Sequence, residues 1–161
     1  MTELERLRTA LYEARAALRR EVEGLDPALA AQRPAPEEWS IVENLLHVAD
    51  MDLLTVQHLR RILQETEPVL PATRGDEFAA ERAAAAAAGL DGVLARLDAA
   101  RAELLALCES LDEAALARGG LHPKFGRRTV AGWLEQRIKH DRDHQAQIRA
   151  TRESLARQRR G

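Results

Sequence analysis

The sequence predicts an all-α fold, and within that class a four-helix bundle. Three observations carry this. The 161 residues are 45% hydrophobic but only 3% aromatic, with Ala, Leu, Arg and Glu dominant. Those side chains lose little freedom in a helix, whereas the Val, Ile and aromatic residues that favour strands are sparse. Apolar residues recur at helical spacing in four long segments, and the breaks between them hold the Gly, Pro and capping residues that start and stop helices.

The first segment runs from about Thr2 to Glu23, with Leu4, Leu7, Leu11, Ala14 and Leu18 on one face and Gly24 as its C-terminal cap. A loop with Asp26-Pro27 and Pro34-Ala35-Pro36 follows, with room for one short helical turn. The second helix starts at Ser40, because Ser40 and Glu43 form a capping box, and runs to about Thr66, where Pro68 and Pro71 stop it. Residues 76–88 predict a short helix ending at Gly89. The third long helix spans about Asp91 to Ser110, with Leu94, Leu97, Leu104, Cys108 and Leu111 on one face. Gly119-Gly120 and Pro123 predict a loop, after which Thr129 caps the last helix, carrying Val130, Trp133, Leu134, Ile138, Ile148 and Leu155. This reads as one domain over residues 1–156 with a frayed polar tail at 157–161. Leu25-Asp26-Pro27-Ala28-Leu29 and Leu111-Asp112-Glu113-Ala114-Ala115-Leu116 echo each other, each leading into a Ser- or Thr-capped helix with a Trp near its start. Two related helical hairpins explain the echo; so does chance in an Ala- and Leu-rich chain.

Charge and targeting signals exclude several function classes. With 24 basic and 26 acidic residues, the net charge of -2 does not suit a protein that works by blanketing phosphates, so no nucleic-acid partner is expected. The charged N-terminus does not read as a signal peptide, and no apolar run is long enough to cross a membrane; the expectation is a cytoplasmic protein without a membrane partner. A single cysteine excludes an internal disulfide framework and a Cys-rich zinc site.

The five histidines are more informative. His140 and His144 lie one turn apart, and at about 100° per residue they share a sector with Val130, Trp133, Ile148 and Leu155. Burying two imidazoles is costly unless their nitrogens find partners, and a shared metal ion is one such partner. Alone, such a pair more often marks hydrogen-bonded core histidines than ligands. His47 shifts the balance: it lies in a core-facing stripe with Met51, Leu54, His58 and Ile62 on the second helix. Facing helices of a bundle direct side chains to one interior point, and three histidines leave an open coordination position. His58 lies roughly 16 Å beyond His47 along the axis, too far for the same ion, and reads as a satisfied core or boundary histidine. His122, in HPKFGRR, reads as a solvated loop residue.

These residues resemble a known family. Trp39-Ser40-Ile41-Val42-Glu43 with His47, Ala49 and Asp50 resembles the WSxxExxxHxxD segment of the DinB-like (YfiT-like) superfamily. Phe125-Gly126-Arg127-Arg128-Thr129-Val130, then His140, His144 and Gln147-Ile148, resembles that family's closing block. The resemblance implies a four-helix bundle, a homodimer, and a divalent metal, zinc or nickel, held by His47, His140 and His144. Relatives in that family include S-transferases using mycothiol or bacillithiol, and a maleylpyruvate isomerase.

Several further residues are candidates. Glu43 fits its structural role in the capping box and, as the sharper alternative, an outer-sphere or general-base role. Asp50 can orient a ligand imidazole or accept a proton, or be a solvated surface acid. Asp141 leans toward the metal sector and Asp143 away from it. Arg137 falls in the inward sector, where it can snorkel, pair with Asp50 or Glu43, or contact an anionic ligand. Lys124, Arg127 and Arg128 form a basic rim, either a solvated loop or a means of capturing a carboxylate on a thiol or substrate. Cys108 sits on a core face and reads as a small hydrophobe. Leu45, Leu46, Val48, Leu53, Val56 and Leu59 spread around the second helix, as a dimer interface would require.

The expected function is a metal-dependent transferase activating a low-molecular-weight thiol cosubstrate toward a small-molecule electrophile. In it, Asp50 and Glu43 assist catalysis and Arg137 and Arg127 hold the cosubstrate. The alternatives are a metal-dependent hydrolase and a non-catalytic, stress-associated metal-binding dimer.

Overall fold

The structure is a computed structural model and describes residues 1–73 and 75–161. Among the described residues, six α-helices follow one another as α1 (Glu3–Glu21), α2 (Pro27–Ala31), α3 (Ile41–Gln64), α4 (Ala79–Ala87), α5 (Gly89–Glu109) and α6 (Val130–Arg160). α1, α3, α5 and α6 are the long members of the bundle; α3 packs against α5 and α6, and α1 against α6. None of these helices is long and apolar enough to cross a membrane.

The predicted N-terminal caps of α3 and α6 form, whereas α1 ends at Glu21 with Val22 rather than Gly24 at its C-cap. Ser40 Oγ accepts from Glu43 N while Glu43 returns to Ser40 N, and Thr129 Oγ1 accepts from Gly132 N. Together these fix the starts of the two histidine-bearing helices. α3 ends at Gln64, slightly before the expected position, because Glu67 precedes Pro68 and that junction disfavours helix. α6 runs to Arg160, past the expected fraying point, with basic residues in its last turn favourably placed against the helix dipole. The two echoed segments fold alike: Asp26 caps α2, and Asp112 caps a single 3-10 turn at Glu113–Ala117.

One expected loop is ordered instead as a hairpin. β1 (Gly119–His122) pairs antiparallel with β2 (Gly126–Thr129), and residues 68–70 join its edge through Leu70 N→Leu121 O and Leu121 N→Pro68 O, both 2.8 Å. The join favours a residue without Cβ, since a Cβ on Gly120 would meet Pro68 O at 3.0 Å and Ile62 Cγ1 at 3.1 Å. The hairpin thereby ties the end of α3 to the start of α6.

The interior has two apolar clusters. One includes Leu18, Ile41, Leu45, Leu97 and Ile148, and the other Leu11, Leu59, Leu104, Val130 and Leu134. Between them lies a closed ring of charge to which each long helix contributes one residue. Arg15 Nη2 donates to Asp52 and Asp141 at 2.9 Å each; Arg101 grips Asp52 at 3.0 Å through Nε and Nη2, and reaches Asp141 at 2.8 Å through Nη1. Arg15 Nη1 also reaches the carbonyl of Leu97 and Arg101 Nη1 that of Leu11, while Arg15 Nε is buried without a partner among the described residues. Burial alone would raise the Asp52 carboxyl, but Arg101 and Arg15 more than offset it and hold it below its usual range.

Two expectations change here. Asp141 belongs to this ring rather than to the metal sector. Leu45, Leu46, Val48, Val56 and Leu59 are buried in the chain's own core, since α3 is covered on several sides, so the dimer expectation rests on the family resemblance alone.

Candidate metal centre

α3 and α6 bring His47, His140 and His144 together, with one ring nitrogen from each within 4.8 Å of the others. His47 Nε2 and His140 Nε2 are 3.0 Å apart, and the ring centroids of His140 and His144 are separated by 4.3 Å. Burial depresses all three imidazoles: His47 to about 4, with help from His144 and Arg137, His140 to about 2, with help from Arg137, and His144 also downward. At neutral pH they are uncharged, with lone pairs free to bind a Lewis acid.

Asn44 orients one of them. Its Nδ2 donates to Ser40 O at 3.0 Å, which turns Oδ1 toward His144 Nδ1 at 2.7 Å. The oxygen can only accept, so Nδ1 carries the hydrogen and Nε2 is left as the ligand atom. The sequence reading missed Asn44; the signal was its position four residues after the Ser40 cap and three before His47, on the inward face.

Three neutral imidazole nitrogens, one fixed by an amide, fit a divalent cation. Two imidazoles sharing an ion at about 2.0–2.1 Å bring their nitrogens to roughly 3.3 Å apart, close to the His47–His140 separation. The cluster is reached through clefts. Trp39, edge-on to His47 at 5.2 Å between centroids, lines two of them. One, of about 560 Å³, contains His47, His144, Gln147 and Thr151. The other, of about 440 Å³, contains His47, Glu43, Asp50 and the Ala79, Ala83 and Ala86 face of α4. A third cavity, of about 220 Å³, lies on the far side, against His140 and Arg137.

The structure assigns other partners to the remaining candidates. Asp50 is buried but not free: one oxygen takes Arg82 and the other takes Arg96 at 2.8 Å. Glu43 is in the capping box and paired with Arg33, whose guanidinium, despite partial burial, holds its carboxyl down at about 2. Both line the cleft beside His47, yet neither is an available base. Arg127 forms an ion pair with Glu67 on the outside of the hairpin, away from the histidines. Its neighbour Arg128 is the residue that turns inward, lying 4.7 Å over both Phe125 and Trp133. Arg137 is buried and pairs with neither Asp50 nor Glu43. Asp143 is exposed, bonded to Lys139.

His122 is buried rather than solvated, and His58, buried as expected, is not fully satisfied. Both line the third cavity; His122 Nδ1 accepts from Lys124 N and Phe125 N, while His58 Nδ1 is buried without a partner. Cys108 is fully buried among leucines, and burial pushes its thiol up to about 11, so it is not a nucleophile at neutral pH.

Fold and site together define a helical-bundle protein whose three-histidine cluster fits a divalent metal. The chain belongs to the DinB superfamily, which it matches over residues 10–148. It is 28% identical to the uncharacterized protein YuaE of Bacillus subtilis over 156 residues, covering 90% of this chain and 96% of that one. Among solved structures it is similar to TT2238, described as a four-helix bundle protein (TM-score 0.68, 26% identity, 91% of this chain and 98% of that chain). It is also similar in fold to YfiT of Bacillus subtilis (TM-score 0.73, 20% identity, 96% of this chain and 86% of that chain). That protein is described as a probable metal-dependent hydrolase with an unusual four-helix bundle topology.

Proposed function

We propose that the protein is a divalent-metal-dependent transferase joining a low-molecular-weight thiol to a small electrophile, with His47, His140 and His144 as the metal ligands. The observation that carries a two-substrate reaction is the pair of clefts that meet at His47 on either side of Trp39. Two organic reactants have room to approach one histidine cluster from different directions, whereas hydrolysis needs one organic reactant and water.

A bound zinc or nickel ion would supply Lewis acidity, lowering the pKa of a thiol brought to the open side. The chain's own residues do the rest. Asn44 holds His144 in the tautomer that presents Nε2. Trp39 separates the two reactants and shields the histidines from bulk water. Glu43 keeps the start of α3 in place, and Asp50 tethers α4 through Arg82, so both carboxylates shape the cleft and neither takes up a proton. In the transfer, the sulfur forms a bond to an electrophilic carbon, the leaving group departs with the electron pair of the broken bond, and the thiol proton passes to solvent. With Cys108 buried, the thiol must be a cosubstrate.

Elemental analysis of the protein as purified, with a thiol-conjugation assay against an electrophilic dye, tests this for wild type and His144→Ala. Thiol-dependent turnover that disappears with the metal supports the transferase. Metal retained with ester or amide hydrolysis in its place would establish the second reading, which the description of YfiT favours. Metal without turnover of either kind would leave a binding module.

A further inference from the structure

Charge in the bundle interior does not balance. Leaving aside Asp50, whose oxygens are both taken by Arg82 and Arg96, the long helices bury three guanidinium groups, Arg15, Arg101 and Arg137, against two carboxylates, Asp52 and Asp141. Four of these close on one another in the ring between the apolar clusters. Arg137 is the surplus. Asp52 and Asp141 attract it through space without accepting a hydrogen bond from it, and its Nε and Nη1 are buried with no acceptor among the described residues. Each bidentate edge of a guanidinium includes one of those two atoms, so both edges are open. Burial outweighs the attraction of the two aspartates and pulls the group down to about 10. A buried, charged, unbonded donor is costly, and native structures retain one only for a reason.

The reason lies in the cavity that Arg137 lines. Of the six buried side-chain nitrogens without a partner among the described residues, four belong to residues that line it: Nε and Nη1 of Arg137, Nε1 of Trp133 and Nδ1 of His58. The Trp133 nitrogen can only donate, and His58 Nδ1 donates in one tautomer. Arg128, stacked over Trp133 and Phe125, adds a second positive charge at the wall. No aspartate or glutamate lines the space among the described residues. The rest of the wall combines apolar Met51 and Leu54 with the neutral polar side chains of Thr55, Thr73 and Gln136, and His140 forms part of it. Two guanidinium groups and, among the described residues, no carboxylate therefore border this space, beside a histidine of the proposed metal centre.

We propose that this cavity binds an organic carboxylate, its oxygens on the Arg137 guanidinium and its hydrocarbon body against Met51, Leu54 and Trp133. The planar oxyanion matches the guanidinium edge, and the aromatic walls suit a short apolar body. A compact inorganic dianion would use the guanidinium but not the aromatic walls. The inference rests on the proposed function only for its meaning, since a carboxylate held beside His140 becomes part of the substrate; the binding itself does not require a metal.

The test uses the purified protein before and after chelator treatment, in a Trp39→Phe background that leaves Trp133 as its one tryptophan. Benzoate, benzyl alcohol and inorganic phosphate are titrated while Trp133 fluorescence is followed, with calorimetry as a second readout. Benzoate is expected to bind saturably and at least tenfold more tightly than either of the others. Arg137→Met should weaken benzoate at least tenfold while leaving the ligand-free melting temperature unchanged or raised, because it removes an unpaired buried charge. Arg137→Lys, which keeps the charge but not the fork, should fall between. His144→Ala should bind benzoate like wild type even if it no longer holds metal, which separates this inference from the metal reading. The proposal is overturned if benzyl alcohol or phosphate binds as well as benzoate, or if Arg137→Met binds it unchanged. It is equally overturned if Arg137→Met lowers the ligand-free melting temperature, or if benzoate binding is lost in His144→Ala.

Discussion

His140 and Asp141 are neighbours on α6, yet they face two regions of opposite character. Asp141 enters a ring in which Arg15, Asp52 and Arg101 accept or donate almost every available hydrogen bond, and the charges cancel. His140, with Arg137 one turn earlier, faces a cluster of neutral imidazoles and a cavity bordered by two guanidinium groups and, among the described residues, no carboxylate. Both regions are buried and polar. The comparison separates polar groups that hold the helices together from polar groups kept ready for something that arrives from outside.

The largest effect should come from breaking the complete region. Asp52→Asn leaves two buried guanidinium groups sharing one carboxylate and should cost about 3–5 kcal/mol by urea unfolding. Replacing Arg15, Asp52, Arg101 and Asp141 together with apolar residues of similar size should cost far less, and a penalty as large as the single change would mean the ring does more than neutralise itself. Next, His144→Ala should abolish stoichiometric metal by elemental analysis while the metal-free protein unfolds at nearly the wild-type urea concentration. A loss of stability as large as that of Asp52→Asn would place the histidines with the ring.

Asn44→Leu should be milder, lowering metal affinity by about 10- to 100-fold in a competition assay with a chromogenic chelator. Unchanged affinity would remove Asn44 from the centre. Acid provides the gentlest probe. His47 and His58 are held at about 4 and His140 at about 2, against 6.5 in the unfolded chain, so between those values the unfolded chain takes up protons that the folded chain refuses. The melting temperature of metal-free protein should therefore decline steadily as pH falls from 6.5 through 4, and a flat profile over that window would show that the imidazoles are not buried as described.

The four long helices, their caps and the convergence of three histidines were legible in the sequence because each depends on local spacing: Ser40 with Glu43, His140 with His144, Thr129 ahead of Val130. What was not legible depends on pairing across the chain. Arg15 meets Asp141, and Arg101 meets Asp52, through tertiary packing, and no local pattern distinguishes such an inward charge from a solvated one. Asp50 looked available because its partners Arg82 and Arg96 lie on other helices. The β1–β2 hairpin was hidden because Gly-Gly reads as a break, and only the approach of Pro68 and Ile62 gives the absence of a side chain at Gly120 its advantage. Arg127 and Arg128 were equivalent as letters; the twist of β2 sends one to Glu67 and the other over Trp133.

The alanine face of α4 has a consequence for how this scaffold varies. No residue of α4 is buried, and the helix presents methyl groups at positions 79, 83 and 86 to the cleft beside His47. Methyl groups have no rotamers to rearrange, so the bore of that cleft is set by the path of the backbone, and each added carbon at those positions narrows it by a fixed step. Such steps leave both apolar clusters and the charged ring untouched. What the cleft admits can thus change at three surface positions independently of folding.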